Sequence, residues 1–173
     1  MATDSGGTRP RVVILGAGFG GLSAAKALSN APCDVVVIDR RNYHLFQPLL
    51  YQVATAGLAP TQIASPVRMI LRYALCSVRT STQISDSATE ASAVSVAMLP
   101  IFTIMALIVA TGARHAYFGH DDWAKCAPGL KKIEDATDIR RRILLAFERA
   151  ETTDDAAERK ALLTFVVIGG GAT

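Results

Sequence analysis

Four glycines, Gly16, Gly18, Gly20 and Gly21, follow the apolar run Arg11-Val12-Val13-Ile14-Leu15 and precede the small-residue stretch Leu22-Ser23-Ala24-Ala25. Residues of these types do no acid–base work. Their spacing, G-x-G-x-x-G between a strand and a helix, suits the cradling of a pyrophosphate. Gly16 permits a tight turn, Gly18 lets the backbone approach the phosphates, and Gly21 lets helix and strand pack closely, so the helix N-terminus faces the anion. A second apolar run, Val35-Val36-Val37-Ile38, ends at Asp39. That acid lies about 20 residues beyond the glycines, where a carboxylate can accept hydrogen bonds from a ribose. An acid here favours a free ribose, as in FAD or NAD, over a 2′-phosphate, although Arg40 and Arg41 follow directly.

The other chemistry-bearing side chains form no such pattern. His44, His115 and His120 are scattered, and Asp121-Asp122 beside His120 reads as a solvated turn. Cys33, Cys76 and Cys126 are widely spaced, without C-x-x-C or metal-ligand spacing. No catalytic residue and no metal ligand is assigned. An odd cysteine count with no pairing logic suits a reducing compartment, and we expect a cytoplasmic setting.

These residues must be positioned by a small set of elements. Residues 11–39 read as a strand–helix–strand unit. The connection that follows is rich in aromatic and amide side chains, among them Tyr43, His44, Phe46, Gln47, Tyr51 and Gln52. Pro60 and Pro66 punctuate it, and Ala64 to Arg72 reads as a short helix. Leu107-Ile108-Val109-Ala110-Thr111-Gly112 reads as another buried strand ending in a small polar turn. Ile133 to Glu151 reads as an amphipathic helix with Ile139, Ile143, Leu144 and Phe147 on one stripe. Asp135 and Asp138 near its start suit the helix dipole. Leu162 to Ile168 reads as a final buried strand running into Gly169-Gly170-Gly171-Ala172-Thr173.

The bulk numbers bound the possibilities. With 173 residues, 50% hydrophobic and 19% charged, the chain can bury a respectable core. A net charge of +3, with clusters such as Arg140-Arg141-Arg142 lying beside acids, argues against nucleic acid. Met1 to Pro10 is polar and reads as a disordered lead-in without the apolar core of a signal peptide. The longest apolar run, Val94 to Ala110, is interrupted by Pro100 and is short for a membrane span. It reads as irregular chain leading into a buried strand.

Phe165-Val166-Val167-Ile168-Gly169-Gly170-Gly171 repeats the order of Val12 to Gly18, an apolar strand and then G-x-G. The third glycine of this second fingerprint would fall immediately after Thr173. Together with Asp39 to Ala54 (Asp-Arg-Arg-Asn-Tyr-His-Leu-Phe-Gln-Pro-Leu-Leu-Tyr-Gln-Val-Ala) and Leu107 to Ala113 (Leu-Ile-Val-Ala-Thr-Gly-Ala), these residues resemble flavoprotein oxidoreductases with two dinucleotide-binding domains. Within that group the chain resembles the type II NADH dehydrogenases, single-subunit NADH:quinone oxidoreductases. Asn42 to Ala54 carries the distinction. Disulfide reductases of similar fold place a redox cysteine pair after the ribose acid, and that stretch here holds no cysteine.

The resemblance implies an α/β fold, with a Rossmann-like FAD domain over residues 11–130 and the start of an NADH domain over residues 131–173. It implies that Gly16, Ala17, Gly18, Phe19, Gly20 and Gly21 hold the FAD pyrophosphate, with Asp39 and Arg40 at the adenosine ribose. Gln47 would lie near the flavin ring, Ala110, Thr111 and Gly112 would close over FAD, and Gly169 and Gly171 would begin the NADH site. In the family, NADH reduces FAD and the flavin reduces a quinone, on the cytoplasmic face of the membrane. The expected product of this chain is an N-terminal fragment with an FAD half-site and little or no turnover. A ferredoxin reductase- or monooxygenase-like flavoenzyme, or a non-enzymatic nucleotide-binding remnant, are the alternatives. From about Tyr73 to Met105 the resemblance lapses. Alternation is faint there and turn signals are missing, and we read the stretch as a compensated pair of frameshifts, with a genuinely divergent insertion as the alternative.

Overall fold

A computed structural model describes residues 9–72, 76–80 and 104–169, with the backbone alone at 76–80 and 104. Three of its strands owe their existence to runs of β-branched and aliphatic residues: β1 (Arg11–Leu15), β2 (Asp34–Asp39) and β6 (Ile104–Val109). With β5 (Cys76–Thr80) they form a sheet in the order β5-β2-β1-β6, every pairing parallel. The register sets Val13 opposite Val36 on one side and Leu107 on the other. A strand buried on both faces reads as an unbroken apolar run rather than an alternating one, and β1 and β2 do so.

Helix α1 (Phe19–Ala27) covers one face of the sheet. It buries Gly21, Leu22 and Ala25, small enough to bring the helix close to the strands. Val12, Ile14, Val35 and Val37 meet Leu22 and Ala25 there, along with Val67 and Leu71. Val13, Val36 and Ile38 cluster on the other face.

The chain divides into two compact units, Met1–His44 with Ser65–Ala113, and Leu45–Ala64 with Arg114–Thr173. The short strands β3 (Tyr43–Leu45) and β4 (Ala64–Pro66) pair where the chain passes between them. In the second unit α2 (Leu50–Ala54) and α4 (Ile133–Thr152) share a core of Leu50, Val53, Ala54, Ile63 and Ala136, with Leu130 and Ile139 packed against it. The start of α4 is fixed by Asp135, whose Oδ2 accepts from the backbone N–H groups of Lys131 and Lys132, each at 3.0 Å. Helix α5 (Ala156–Leu162) is capped by Asp155, which accepts from Ala157 N at 2.8 Å.

Several readings of local structure are corrected. Ala64–Pro66 is extended, and the helix α3 begins only at Val67 and runs to Ile70. Pro66 explains this, since proline drives the residue before it out of the helical region. Leu107 to Val109 belongs to a strand as expected, but one that is covered on a single face: Met105, Leu107 and Val109 are exposed while Ala106 and Ile108 pack on the core. Cys76–Thr80 adds a strand inside the stretch where none was read. Its ladder comes from β2, and its own polar sequence carries no signal. The rest of that stretch, residues 73–75 and 81–103, lies outside the described residues, as does the lead-in up to Thr8.

The amphipathic helix over 133–151 is present. Its stripe is covered at Ala136 and Ile139, whereas Leu144 and Phe147 are half exposed. The final strand is absent. Leu162 ends α5, and Thr164–Gly169 adopt no regular structure, with Val166, Val167 and Ile168 exposed. A strand exists by pairing, and no neighbour lies alongside this one among the described residues.

A candidate dinucleotide cradle

The chain runs from β1 to β2 and on to β5 on one side, then returns to β6 on the other side of β1. The strand order therefore reverses between β1 and β6. In parallel sheets the crevice beyond the carboxyl ends of strands at such a reversal is the ligand-binding place. Gly16, at the end of β1, and Ala110, just past β6, stand there together. Ala110 N donates to Leu15 O at 2.8 Å, and Gly16 N donates to Ile38 O at 2.7 Å.

The glycines differ in what they tolerate. Gly16 has φ +99°, and a Cβ on it would clash with the Ala110 carbonyl. A Cβ on Gly21 would collide with the Gly16 carbonyl, because the helix returns directly over the turn. Protein packing thus accounts for both. Gly18 is another matter: its φ is −74°, and a Cβ there would meet no atom within 4 Å. Neither backbone strain nor a protein neighbour demands glycine at that position. A ligand brought up against the backbone would.

Gly18 is also the N-cap of α1. No side chain caps this helix, and its first turn contains no acid. The first backbone N–H groups of any helix lack intrahelical partners, and the dipole places about half a positive charge there. An uncapped, acid-free N-terminus beside an open glycine is chemically matched to a pyrophosphate. The residues present therefore fit the phosphates of FAD or another dinucleotide.

Asp39, at the end of β2, holds this turn. Its Oδ2 accepts from Ala17 N at 2.6 Å and its Oδ1 from Arg41 N at 2.7 Å. A carboxylate has about four acceptor positions, so capacity for a ribose hydroxyl remains. Arg40 is exposed beside it. Thr111 and Gly112 continue from Ala110 as exposed backbone, Gly112 with φ +74°. The structure therefore brings together Gly16 to Gly21, Asp39, Arg40 and Ala110 to Gly112 within the first unit.

Gln47 and Gly169 belong to the second unit. Gln47 opens a 3-10 turn, and its Nε2 donates to Lys131 O at 3.3 Å. Gly169 has φ +86° and nothing within 4 Å of a Cβ, and it follows the exposed run Val166–Ile168. Gly171 lies outside the described residues. One residue of the cradle was passed over in the sequence, where it stood as a scattered histidine: His44, whose Nδ1 lies 3.1 Å from Ala17 O. No local signal marks it, because its partner stands 27 positions earlier in the chain. Among the described residues no cluster of metal-ligand side chains occurs, and no helix is long and apolar enough to cross a membrane.

Residues 10–173 match the pyridine nucleotide-disulphide oxidoreductase family. The chain is 48% identical over 170 residues to the type II NADH:quinone oxidoreductase NdhA of Mycobacterium tuberculosis, covering 96% of this chain and 36% of that protein. It is 45% identical over 170 residues to the type II NADH:quinone oxidoreductase Ndh of the same organism, covering 95% and 36%. It is 33% identical over 177 residues to the external alternative NADH-ubiquinone oxidoreductase of Yarrowia lipolytica mitochondria, covering 96% and 30%. Among solved structures, NDH2 from Plasmodium falciparum in complex with NADH superposes with a TM-score of 0.65 at 23% identity, over 88% of this chain and 32% of that one. The sulfide:quinone oxidoreductase of Aquifex aeolicus superposes with a TM-score of 0.62 at 18% identity, over 80% and 32%. Both share the fold. The chain spans about a third of the length of its curated relatives.

Proposed function

Since the chain belongs to the pyridine nucleotide-disulphide oxidoreductase family, we propose that it carries the FAD-binding portion of an NADH:quinone oxidoreductase and binds FAD through its ADP moiety. The observation that carries this reading is the contrast among the glycines. Gly16 and Gly21 are filled in by the protein itself, while Gly18 faces open space at the uncapped start of α1.

On this reading, Gly16 to Gly21 hold the pyrophosphate and the dipole of α1 offsets its charge. Asp39 offers its remaining acceptor positions to the adenosine ribose, beside Arg40. Ala110, Thr111 and Gly112 close over the nucleotide from the end of β6. Bound FAD supplies hydride acceptance from NADH and onward electron transfer, chemistry that belongs to the cofactor rather than to any side chain here. The protein's share is to bind, orient and tune it. Residues 11–130 supply the flavin side of this plan and residues 131–173 open the nicotinamide side, with Gly169 and Gly171 reserved for the NADH pyrophosphate. Quinone is the proposed electron acceptor, as the names of the longer relatives have it, and the cytoplasm is the proposed setting. The free thiols Cys33 and Cys126 are in keeping with that setting.

We expect this chain by itself to hold FAD weakly and, because Val166 to Ile168 are exposed with no strand beside them among the described residues, to leave it oxidised when NADH is added. Titration of the purified protein with FAD, followed by flavin fluorescence, and competition by ADP test the first half. Loss of flavin absorbance on adding NADH tests the second. Saturable FAD binding displaced by ADP supports the reading, and failure to bind either nucleotide overturns it. Rapid bleaching at micromolar NADH would show a working nicotinamide site and refute the expectation of no turnover.

A further inference from the structure

Ala17, buried in the middle of the glycine turn, has left the sheet and has not entered the helix, so neither of its polar backbone groups has a partner in regular structure. Buried backbone groups in that position must be satisfied otherwise. Here two side chains do it. The N–H of Ala17 donates to Asp39 Oδ2 at 2.6 Å, and its carbonyl lies 3.1 Å from His44 Nδ1. A carbonyl only accepts, so the bond requires the proton on Nδ1. The His44 ring also meets the Phe19 ring edge-on, centroids 4.8 Å apart with an interplanar angle of 88°.

His44 is itself held by rigid neighbours. It sits on β3, and the residue before that strand, Asn42, is tied at both ends. Its carbonyl accepts from Val67 N at 3.0 Å and its Oδ1 accepts from Arg68 Nη1 at 2.7 Å, at the start of α3. The backbone that carries the imidazole is thereby anchored beside α3.

We infer that His44 is a positioning residue for phosphate binding, acting through the Ala17–Gly18 peptide. This rests on the FAD reading above. In a planar trans peptide, the carbonyl of one residue and the N–H of the next point in opposite directions. Holding the Ala17 carbonyl against His44 therefore turns the Gly18 N–H away from β3. Gly18 is the glycine with open space around it and the N-cap of α1. Asp39 fixes the turn through the preceding N–H and His44 through the following carbonyl, so the donor is aimed before any ligand arrives. A donor aimed in advance has no reorganisation cost on binding.

Two crossed substitutions separate the hydrogen bond from the ring contact. His44→Asn keeps an N–H donor near the Nδ1 position and loses the ring, whereas His44→Phe keeps a ring against Phe19 and loses the donor. The readouts are the dissociation constants for FAD and for ADP, and hydrogen–deuterium exchange over residues 16–22 in the nucleotide-free protein. H44F is expected to weaken FAD and ADP alike by about tenfold, the scale of one hydrogen bond. It should speed exchange in the turn without speeding it in β1 or β2. H44N is expected to stay within about threefold of the parent on this scale and to keep the turn protected. The proposal is overturned if H44N is the weaker binder, if both bind as the parent does, or if exchange rises through the whole sheet. Should H44F not fold, loss of binding in H44N alone still overturns it, and retained binding with a protected turn supports it. Should the parent bind neither FAD nor ADP while H44F alone loosens the turn, the FAD reading fails and the clamp stands.

Discussion

Val12 to Leu15 ahead of Gly16 and Phe165 to Ile168 ahead of Gly169 are near copies: four apolar residues, then glycine in an x-G-x-G order. In the first, Val12, Val13 and Ile14 are 5%, 0% and 0% exposed; in the second, Val166, Val167 and Ile168 are 82%, 85% and 83% exposed. The first run has β2 on one side and β6 on the other, with α1 above it. The second has no strand beside it among the described residues. A strand–glycine motif becomes a phosphate cradle only when neighbouring strands fix its end and a following helix supplies donors. Sequence similarity between the two runs is therefore similarity of a part, and the cradle is a property of the assembled sheet.

The largest effect expected from this contrast is in packing. Ile14→Ala should cost about 2–5 kcal/mol of unfolding free energy, the range for truncating a buried aliphatic side chain. Ile168→Ala should change it by less than about 0.5 kcal/mol. Urea unfolding of the two variants measures both, and equal costs would break the comparison. Next come the glycines. Gly21→Ala forces a Cβ against the Gly16 carbonyl and should cost about 1–3 kcal/mol through overpacking. Gly169→Ala meets no atom, so its cost should be about 1 kcal/mol or less, from its positive φ alone.

Gly18→Ala sharpens the functional side. Its φ already suits alanine and the space is open, so stability should shift by no more than about 0.5 kcal/mol. FAD affinity should fall at least about tenfold, because the methyl group stands where the pyrophosphate approaches. Calorimetry on one sample reads both, and unchanged FAD affinity would remove the chief support for the cradle. Asp39→Ala should cost about 1–3 kcal/mol, since it leaves the Ala17 N–H unpaired. Its melting temperature should drop while that of an Arg40→Ala variant, at an exposed position, does not.

The smallest effect lies on α4. The Arg141 hydrogen bond, with Arg142 also nearby, holds the Asp138 carboxyl below its ordinary value of 3.8. A carboxyl lowered in the folded state contributes above that value, and the contribution is lost as pH falls through the lowered one. The pairs are exposed, and such pairs contribute little. In an acid titration followed by helical circular dichroism, D138N should differ from the parent only slightly above pH 3.8 and converge with it below.

Much of the first unit was legible in the sequence. Val12 to Gly21 and Val35 to Asp39 combine a buried-strand composition with a spacing few other structures use, and Ile133 to Glu151 shows its helical period over five turns. Legibility failed wherever an element depended on a partner far along the chain. Cys76–Thr80 is a strand because β2 offers it a ladder. Leu162 to Ile168 looked like a strand and is not one, because composition reports willingness to pair and not the presence of a neighbour. His44 was missed for the same reason: nothing between Ala17 and Tyr43 announces that the ring will reach back 27 positions.

By itself, then, the sequence determined the local propensities: apolar runs, a turn that needs glycine, a carboxylate at the right distance to meet it, and membership of a recognisable family. Tertiary structure decided which of two similar runs is paired on both sides, which glycines the protein fills and which it leaves open, and that Ala17 is gripped by Asp39 and His44. Those outcomes depend on strand pairing and on backbone groups that must find partners once buried. Both are set by segments distant in the chain, where local spacing carries no information.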